Sequence, residues 1–273
     1  MNGQAFVALH DEQAWREALD AVWNRELRPR LMETILSLPP ARPLRMSYEE
    51  FLEWADEDTL AEWVDGEVII HSPAGNRHQD LTDFLVSVLR PFVELHQLGV
   101  VRSAPFQMKL TRSGREPDLL FVAKEHLYRL RETHLEGPAD LVVEVISPES
   151  VRRDRVEKFY EYQAAGVGEY WLIDPQSERA EFHRLGEGGR YEEVFSGHEG
   201  VYRSGVLEGF WLRVEWLWQE VLPGTEEVLW EIIGYEAVVE QLIRATGSED
   251  LIRQLARTVG LDALRRLVES IEG

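Results

Sequence analysis

The stretch ADLVVEVISPES, residues 139–150, is an apolar, β-branched run interrupted by one acid, Glu144, which stands between Val143 and Val145; Ser147-Pro148 closes it. Such a run reads as a sheet strand ending at a turn. A charge on a buried strand is costly unless something pairs with it or coordinates it, so the fold is read outward from the question of what Glu144 faces.

Upstream, EPDLLFVAKE is a second short apolar run, and GVVRSAPFQMKL alternates Phe106, Met108 and Leu110 against Gln107 and Lys109 as a half-buried strand should. Residues 77–97 suit a helix carrying Leu81, Leu85, Val88, Leu89 and Phe92. Before it, LAEWVDGEVIIHS places Asp65-Gly66 between two β-rich runs, a strong hairpin signal. MSYEEFLEWADE opens with Ser47 and Glu50 at capping-box spacing. Downstream, residues 150–165 are helical up to Gly166, GEYWLIDPQSE is a strand, and RAEFHRL, YEEVFS and LEGFWLRVEWLW suggest closing antiparallel strands. The expected fold is α/β (α+β), with a mixed central sheet flanked by helices.

The chain divides on this reading into a helical N-terminal arm (1–45), a core domain (46–222) and a helical C-terminal extension (223–273). The apolar spacing in LIRQLARTVG and LDALRRLVESI suits packing on one another, on the core, or across a homodimer. With no cysteine among 273 residues, disulfides and thiolate metal sites are excluded. No apolar run approaches a membrane span and the N-terminus has no signal-like pattern, so a cytoplasmic location is expected. A formal charge of −21 opposes non-specific binding to nucleic acid unless a local patch overrides it. Two basic stretches offer one: Arg102, Lys109, Arg112 and Arg115, and later Arg152, Arg153, Arg155 and Lys158.

Three acids share strand faces with apolar residues by the two-residue period: Glu62 with Leu60 and Val64, Asp118 with Leu120 and Val122, Glu144 with Val142 and Ile146. Carboxylates brought together repel unless a hard cation such as Mg²⁺ (or Mn²⁺) lies between them, so neighbouring strands here would make a metal site. Each acid also has a purely structural reading. Asp118 can cap the turn after Pro117, Glu144 can pair with an arginine such as Arg115, and Glu62 can be exposed if its hairpin lies at an edge.

A Pro-Asp opening one strand and a mid-strand Glu some twenty-six residues later resembles the PD-(D/E)XK nuclease superfamily. AEWVDGEVIIHSPAGNRHQD, EPDLLFV, GPADLVVEVISPES, EKFYEYQAAGVGEYWLIDP and LEGFWLRV, in that order over about residues 46–218, resemble the Uma-type family of restriction endonuclease-like proteins. The resemblance implies a restriction-endonuclease-like core and a Mg²⁺-dependent endonuclease acting on nucleic acid, most readily DNA. It implies Asp118 and Glu144 as metal ligands and Glu62 as the upstream acid. The lysine expected two positions after Glu144 is replaced by Ile146, and the family's lysine on the following helix corresponds to Lys158. Only Lys109, Lys124 and Lys158 occur among 29 basic residues, which singles Lys158 out; its structural alternative is a pair with Glu161. A compact ammonium there can orient water or offset developing charge.

The same resemblance places a histidine near His78, where it can contact metal or phosphate, and Lys109 of the first basic stretch is a further supporting cation. His71 and His78 have the wrong spacing for a helical zinc pair. Ser147 has no base paired with it in the sequence and reads as a turn residue, GEGG at 186–189 as a hairpin turn, and Tyr160, Tyr162, Tyr170 and Trp171 as packing aromatics. Specificity would come from loops such as 111–116. Against the enzyme stands a nuclease fold without catalysis, serving as a nucleic-acid-binding or protein-interaction module, which the absent strand lysine and the −21 charge motivate.

Overall fold

The structure is a computed structural model that describes residues 43–55, 59–70 and 75–234. The chain separates into two compact units, 1–44 and 45–273, and the second holds nearly all of the described residues. Residues 1–42 of the N-terminal arm, His71 and the two last helical stretches lie outside them.

The first helix, α1 (Tyr48–Trp54), starts at Ser47 with the full capping box: the Ser47 hydroxyl accepts from Glu50 N–H and the Glu50 carboxylate accepts from Ser47 N–H. Strands β1 (Ala61–Val64) and β2 (Glu67–Ile70) form the hairpin, with Asp65 at φ 50° and Gly66 at φ 86°. Positive φ at both turn positions is what the Asp-Gly pair permits. Helix α2 (Asn76–Leu95) buries Leu81, Phe84, Leu85, Val88, Leu89 and Phe92 at three-and-four spacing.

The 99–110 region is two strands, β3 (Gly99–Ser103) and β4 (Gln107–Lys109), separated at Ala104-Pro105, where proline removes a backbone donor. They join different sheets. Gln107 is buried, contrary to the expected alternation, because its amide lies between the Tyr48 hydroxyl and Glu116. The chain continues through β5 (Ser113–Arg115), β6 (Leu119–Ala123), a 3₁₀ turn (Lys124–Arg129), β7 (His134–Glu136) and β8 (Leu141–Val145). A π-turn (Arg153–Lys158) leads into α3 (Phe159–Ala165), which Gly166 ends at φ 89°. Strands β9 (Glu169–Asp174), β10 (Arg179–Leu185), β11 (Tyr191–Gly197), β12 (Val201–Arg203) and β13 (Trp211–Arg213) follow. The expected last strand is therefore short: Val214–Trp218 turns into a 3₁₀ helix, and among the described residues β13 pairs only with β12.

The central mixed sheet has six strands in the order β11-β10-β9-β8-β6-β3, all antiparallel except β8 with β9. The π-turn and α3 supply the long crossover that a parallel pair requires. A second sheet, β2-β1-β5-β4-β7, is antiparallel except for β4 with β7. Both faces of the central sheet are covered, which is why β8 is buried throughout rather than alternately. Leu119, Phe121, Leu141, Val143 and Val145 pack on the α2 side together with Trp171 and Phe182. Leu120, Val122, Val142, Ile146 and Leu172 pack on the other side with Tyr162, Tyr170 and Met108. Helix α4 (Thr225–Ile233), the start of the expected C-terminal extension, places Val228 and Ile232 in the α2-side core. No helix among the described residues is long and apolar enough to cross a membrane.

Gly99 shows how tightly β3 meets β6. A Cβ built there would lie 2.0 Å from the Val122 carbonyl oxygen, at φ +151°. Gly99→Ala should therefore cost roughly 2–4 kcal/mol in urea unfolding, well beyond a propensity effect.

Candidate active site

The strand acids meet at one cleft of about 680 Å³, lined by Glu62, His78, Asp118, Glu144, Asp154 and Lys158 among others. Glu144 projects from the middle of β8 on the α3 side, in the row of Val142 and Ile146. Its Oε1 accepts from Lys158 Nζ at 2.8 Å and from the Tyr162 hydroxyl at 3.1 Å. Arg115, the alternative partner considered for Glu144, is elsewhere. Asp118, just before β6, accepts the Val145 N–H at Oδ2 (2.7 Å) and has His78 Nε2 at 3.2 Å from the same oxygen. It thus fastens β6 to the end of β8 instead of capping the local turn.

Glu62 is fully buried, because β1 lies inside the second sheet between β2 and β5 while β2 is the edge. Leu60, assigned to the same face by periodicity, is exposed at the strand's approach. Glu62 Oε1 accepts from Lys158 Nζ (3.0 Å) and Glu116 N–H (3.2 Å), and Oε2 from Arg115 Nη1 (3.0 Å). Arg115 reaches back from β5 to Glu161 at 2.8 Å, and the Ser113 hydroxyl also contacts Glu161. Glu161 is therefore taken by Arg115, and the expected alternative partner of Lys158 is replaced by Glu62, Glu144 and, at 3.6 Å, Asp154.

Burial acts most strongly on Glu144 and, with Asp154, Asp118 and Glu62 nearby, raises its pKa well above the usual carboxylate value despite Lys158. Burial opposes the Lys158 ammonium, but Glu144, Glu62 and Asp154 outweigh it and hold the group protonated well above the ordinary lysine value. His78 is also raised: burial works against the charged ring, and Asp118 overcomes it.

Ser147 keeps its expected turn role, whereas Lys109 and the 111–116 segment depart from expectation. Lys109 does not line the cleft; its ammonium lies 4.2 Å from the Tyr48 ring centroid and 4.8 Å from that of Trp63. Ser147 belongs to a turn in which its N–H donates to Ser150 Oγ and its carbonyl accepts from Ser150 N–H. The segment 111–116 is largely β5, with Ser113, Gly114 and Arg115 buried, so only its tip is available as a loop. Two groups went unread in the sequence. Tyr162 looked like a packing aromatic although its hydroxyl reaches Glu144, and Asp154 had no marker beyond its position four residues before Lys158.

The donors suit a hard divalent cation. Among the described residues no hydrogen-bond donor reaches the second oxygens of Asp118 and Glu144, and Asp154 Oδ1 is buried with no hydrogen-bond partner. Oxygen-only ligation favours Mg²⁺ or Mn²⁺ over softer metals. The cleft's ligand atoms do not form a group of three within 4.8 Å; among the described residues Glu181, His183 and Glu193 alone do. Arg155 Nη1 contacts both Glu181 oxygens at 2.6 Å and Arg179 Nε lies 3.4 Å from Oε1, so two guanidiniums already balance that trio and would repel a dication.

A two-faced mixed sheet carrying converging carboxylates and a lysine is the architecture of a restriction-endonuclease-like nuclease. The model of the Uma2 family, described as "Putative restriction endonuclease", matches residues 48–215, and the chain belongs to that family. The fold is similar to that of "a putative nuclease belonging to DUF820 from Anabaena variabilis ATCC 29413", with TM-score 0.54 and 17% identity over 63% of this chain and 97% of that one. No curated protein matches the chain.

Two outcomes follow from the site's charges. Arg115→Met should cost about 3–5 kcal/mol in urea unfolding because it takes the guanidinium from both Glu62 Oε2 and Glu161, and adding Glu62→Gln should restore part of that loss in a double-mutant cycle. His183 and Arg155 hold Glu181 down from 4.5 to about 2. Its folded pKa is depressed, so its contribution is present above about 4.5 and lost as pH falls toward about 2. Glu181→Gln should flatten the acid loss of stability over that window, read from urea midpoints.

Proposed function

We propose that the protein is a metal-dependent endonuclease that hydrolyses phosphodiester bonds, with DNA as its substrate. The observation that supports this reading is the presence, in one cleft of an Uma2-family chain, of carboxylates with open oxygens beside a buried lysine. Asp118 and Glu144 would hold Mg²⁺ or Mn²⁺. The cation supplies Lewis-acid stabilisation of the phosphoryl group and acidifies water. The chain's own residues do the rest. Asp118 is fixed by the Val145 N–H and Glu144 by Tyr162, so both carboxylates are oriented before a ligand arrives. Lys158, held protonated, places a cation where negative charge builds on the scissile phosphate and can orient the attacking water by hydrogen bonding. Glu62, with both oxygens engaged, positions the lysine. His78 orients Asp118. Arg153 lines the same cleft with a buried Nε that has no hydrogen-bond partner, and it suits a phosphate oxygen on the substrate.

The spacing signature lacks its strand lysine, yet Lys158 brings an ammonium to Glu144 from the neighbouring crossover. That favours an active enzyme over a fold retained for binding alone. A cleavage assay on plasmid and single-stranded DNA with Mg²⁺ or Mn²⁺ tests the reading. Asp118→Asn, Glu144→Gln and Lys158→Met should each lower the rate at least about 100-fold. Absence of cleavage by the unmodified protein with either metal, on either substrate, would overturn it.

A further inference from the structure

We infer that Asp154 is the third carboxylate of the cation site, in the place that strand periodicity assigns to Glu62. The inference rests on the metal-dependent reading above. Asp154 is only 2% exposed, lines the cleft, and has an Oδ1 without a hydrogen-bond donor. A buried ionised carboxylate costs several kcal/mol unless it is paired, so such an orphan needs a partner. Lys158 does not fill the role. Its ammonium already donates toward Glu144 and Glu62 at 2.8 and 3.0 Å, whereas Asp154 Oδ1 is 3.6 Å away, beyond hydrogen-bond range.

Glu62 is in the opposite condition. Its oxygens take Lys158, Arg115 and the Glu116 N–H, which leaves it poorly placed to bind a metal without breaking buried ion pairs. Glu62, Asp118, Glu144 and Asp154 thus line one cleft whose lining offers Lys158 and Arg153 as its cations, and three of these acids share the same lysine.

The local backbone explains the aim of the side chain. Asp154 N–H donates to the Ser150 carbonyl at 2.8 Å and its own carbonyl accepts the Tyr170 hydroxyl at 3.0 Å. These bonds fix the backbone of Asp154; its carboxylate, which does not form a group within 4.8 Å with those of Asp118 and Glu144 in this structure, would turn about its own torsions to join them on one ion. The π-turn sets Asp154 and Lys158 both inward, while Val156 between them is 46% exposed. Turns of this kind often serve functional sites.

Mn²⁺ titration of the full chain by calorimetry, with parallel thermal melts, tests the assignment. Asp154→Asn keeps the side chain's shape and removes one of the acids crowded round Lys158, so the metal-free protein should melt at or above the unmodified temperature. Its Mn²⁺ affinity should fall at least about tenfold, and the melting-temperature gain on adding Mn²⁺ should shrink accordingly. Binding that is lost in Asp118→Asn but unchanged in Asp154→Asn would overturn the role of Asp154 and leave the metal site standing. Absence of Mn²⁺ binding by the unmodified protein would overturn the metal reading and this inference with it.

Discussion

One buried ammonium ties the molecule together. Lys158 Nζ lies 2.8 Å from Glu144 on the central sheet and 3.0 Å from Glu62 on the second sheet, and it is itself carried by the crossover between β8 and β9. Three elements that are distant in the chain therefore share one charge, and none of the carboxylates has lysine to itself. As a stabilising device this is inefficient, because desolvating such groups costs about as much as their attraction returns, and apolar replacements of similar shape are often neutral or better. The arrangement makes sense as a preorganised site whose remaining negative charge is kept for a ligand.

Burial of a carboxylate does not by itself make a site. Glu169, at the start of β9, is as buried as Glu62, but it accepts from Trp171 Nε1 at 3.0 Å, Ser204 Oγ at 2.9 Å and Arg184 Nε at 3.1 Å. Its oxygens are satisfied by the protein alone, so it reads as a structural joint between β9 and the loop before β13. Glu62 resembles Glu169 in this respect more than it resembles Asp118. The useful distinction among the acids is therefore whether an oxygen is left open toward the cleft.

This distinction marks where the sequence was legible. The Asp65-Gly66 turn, α2 and the paired faces of β6 and β8 follow from local chemistry and periodicity, and the structure has them where the pattern places them. Lys158 stood out because lysine is scarce in an arginine-rich chain. The burial of Glu62 was hidden because it depends on strand order: β1 becomes internal only when β5, some fifty residues later, pairs with it. Asp154 was hidden for another reason. A regular helix was expected over 150–165, and the widened π-turn changes which positions of that segment share a face. Tyr162 is buried as a packing aromatic should be, but burial says nothing about which acceptor its hydroxyl finds.

The two basic stretches that flank β8 look in sequence like a patch able to offset the net charge. In the folded chain they are mostly spent internally. Arg112 is bound to Asp65, Arg115 to Glu62 and Glu161, Arg155 to Glu181 and Asp174, and Lys109 sits against Tyr48 and Trp63. Among the described residues, a phosphate approaching the cleft without a metal would meet several carboxylates, a Lys158 ammonium already shared among Glu62, Glu144 and Asp154, and Arg153. On the proposed reading, the cation is then needed for substrate binding as well as for chemistry, because it reverses the sign of the local field. Binding of metal and binding of phosphate must favour one another by the same free energy, whichever arrives first. On the same proposed reading, the acidity that argues against a nucleic-acid partner in the bare sequence would make that partner's binding at this cleft conditional on metal.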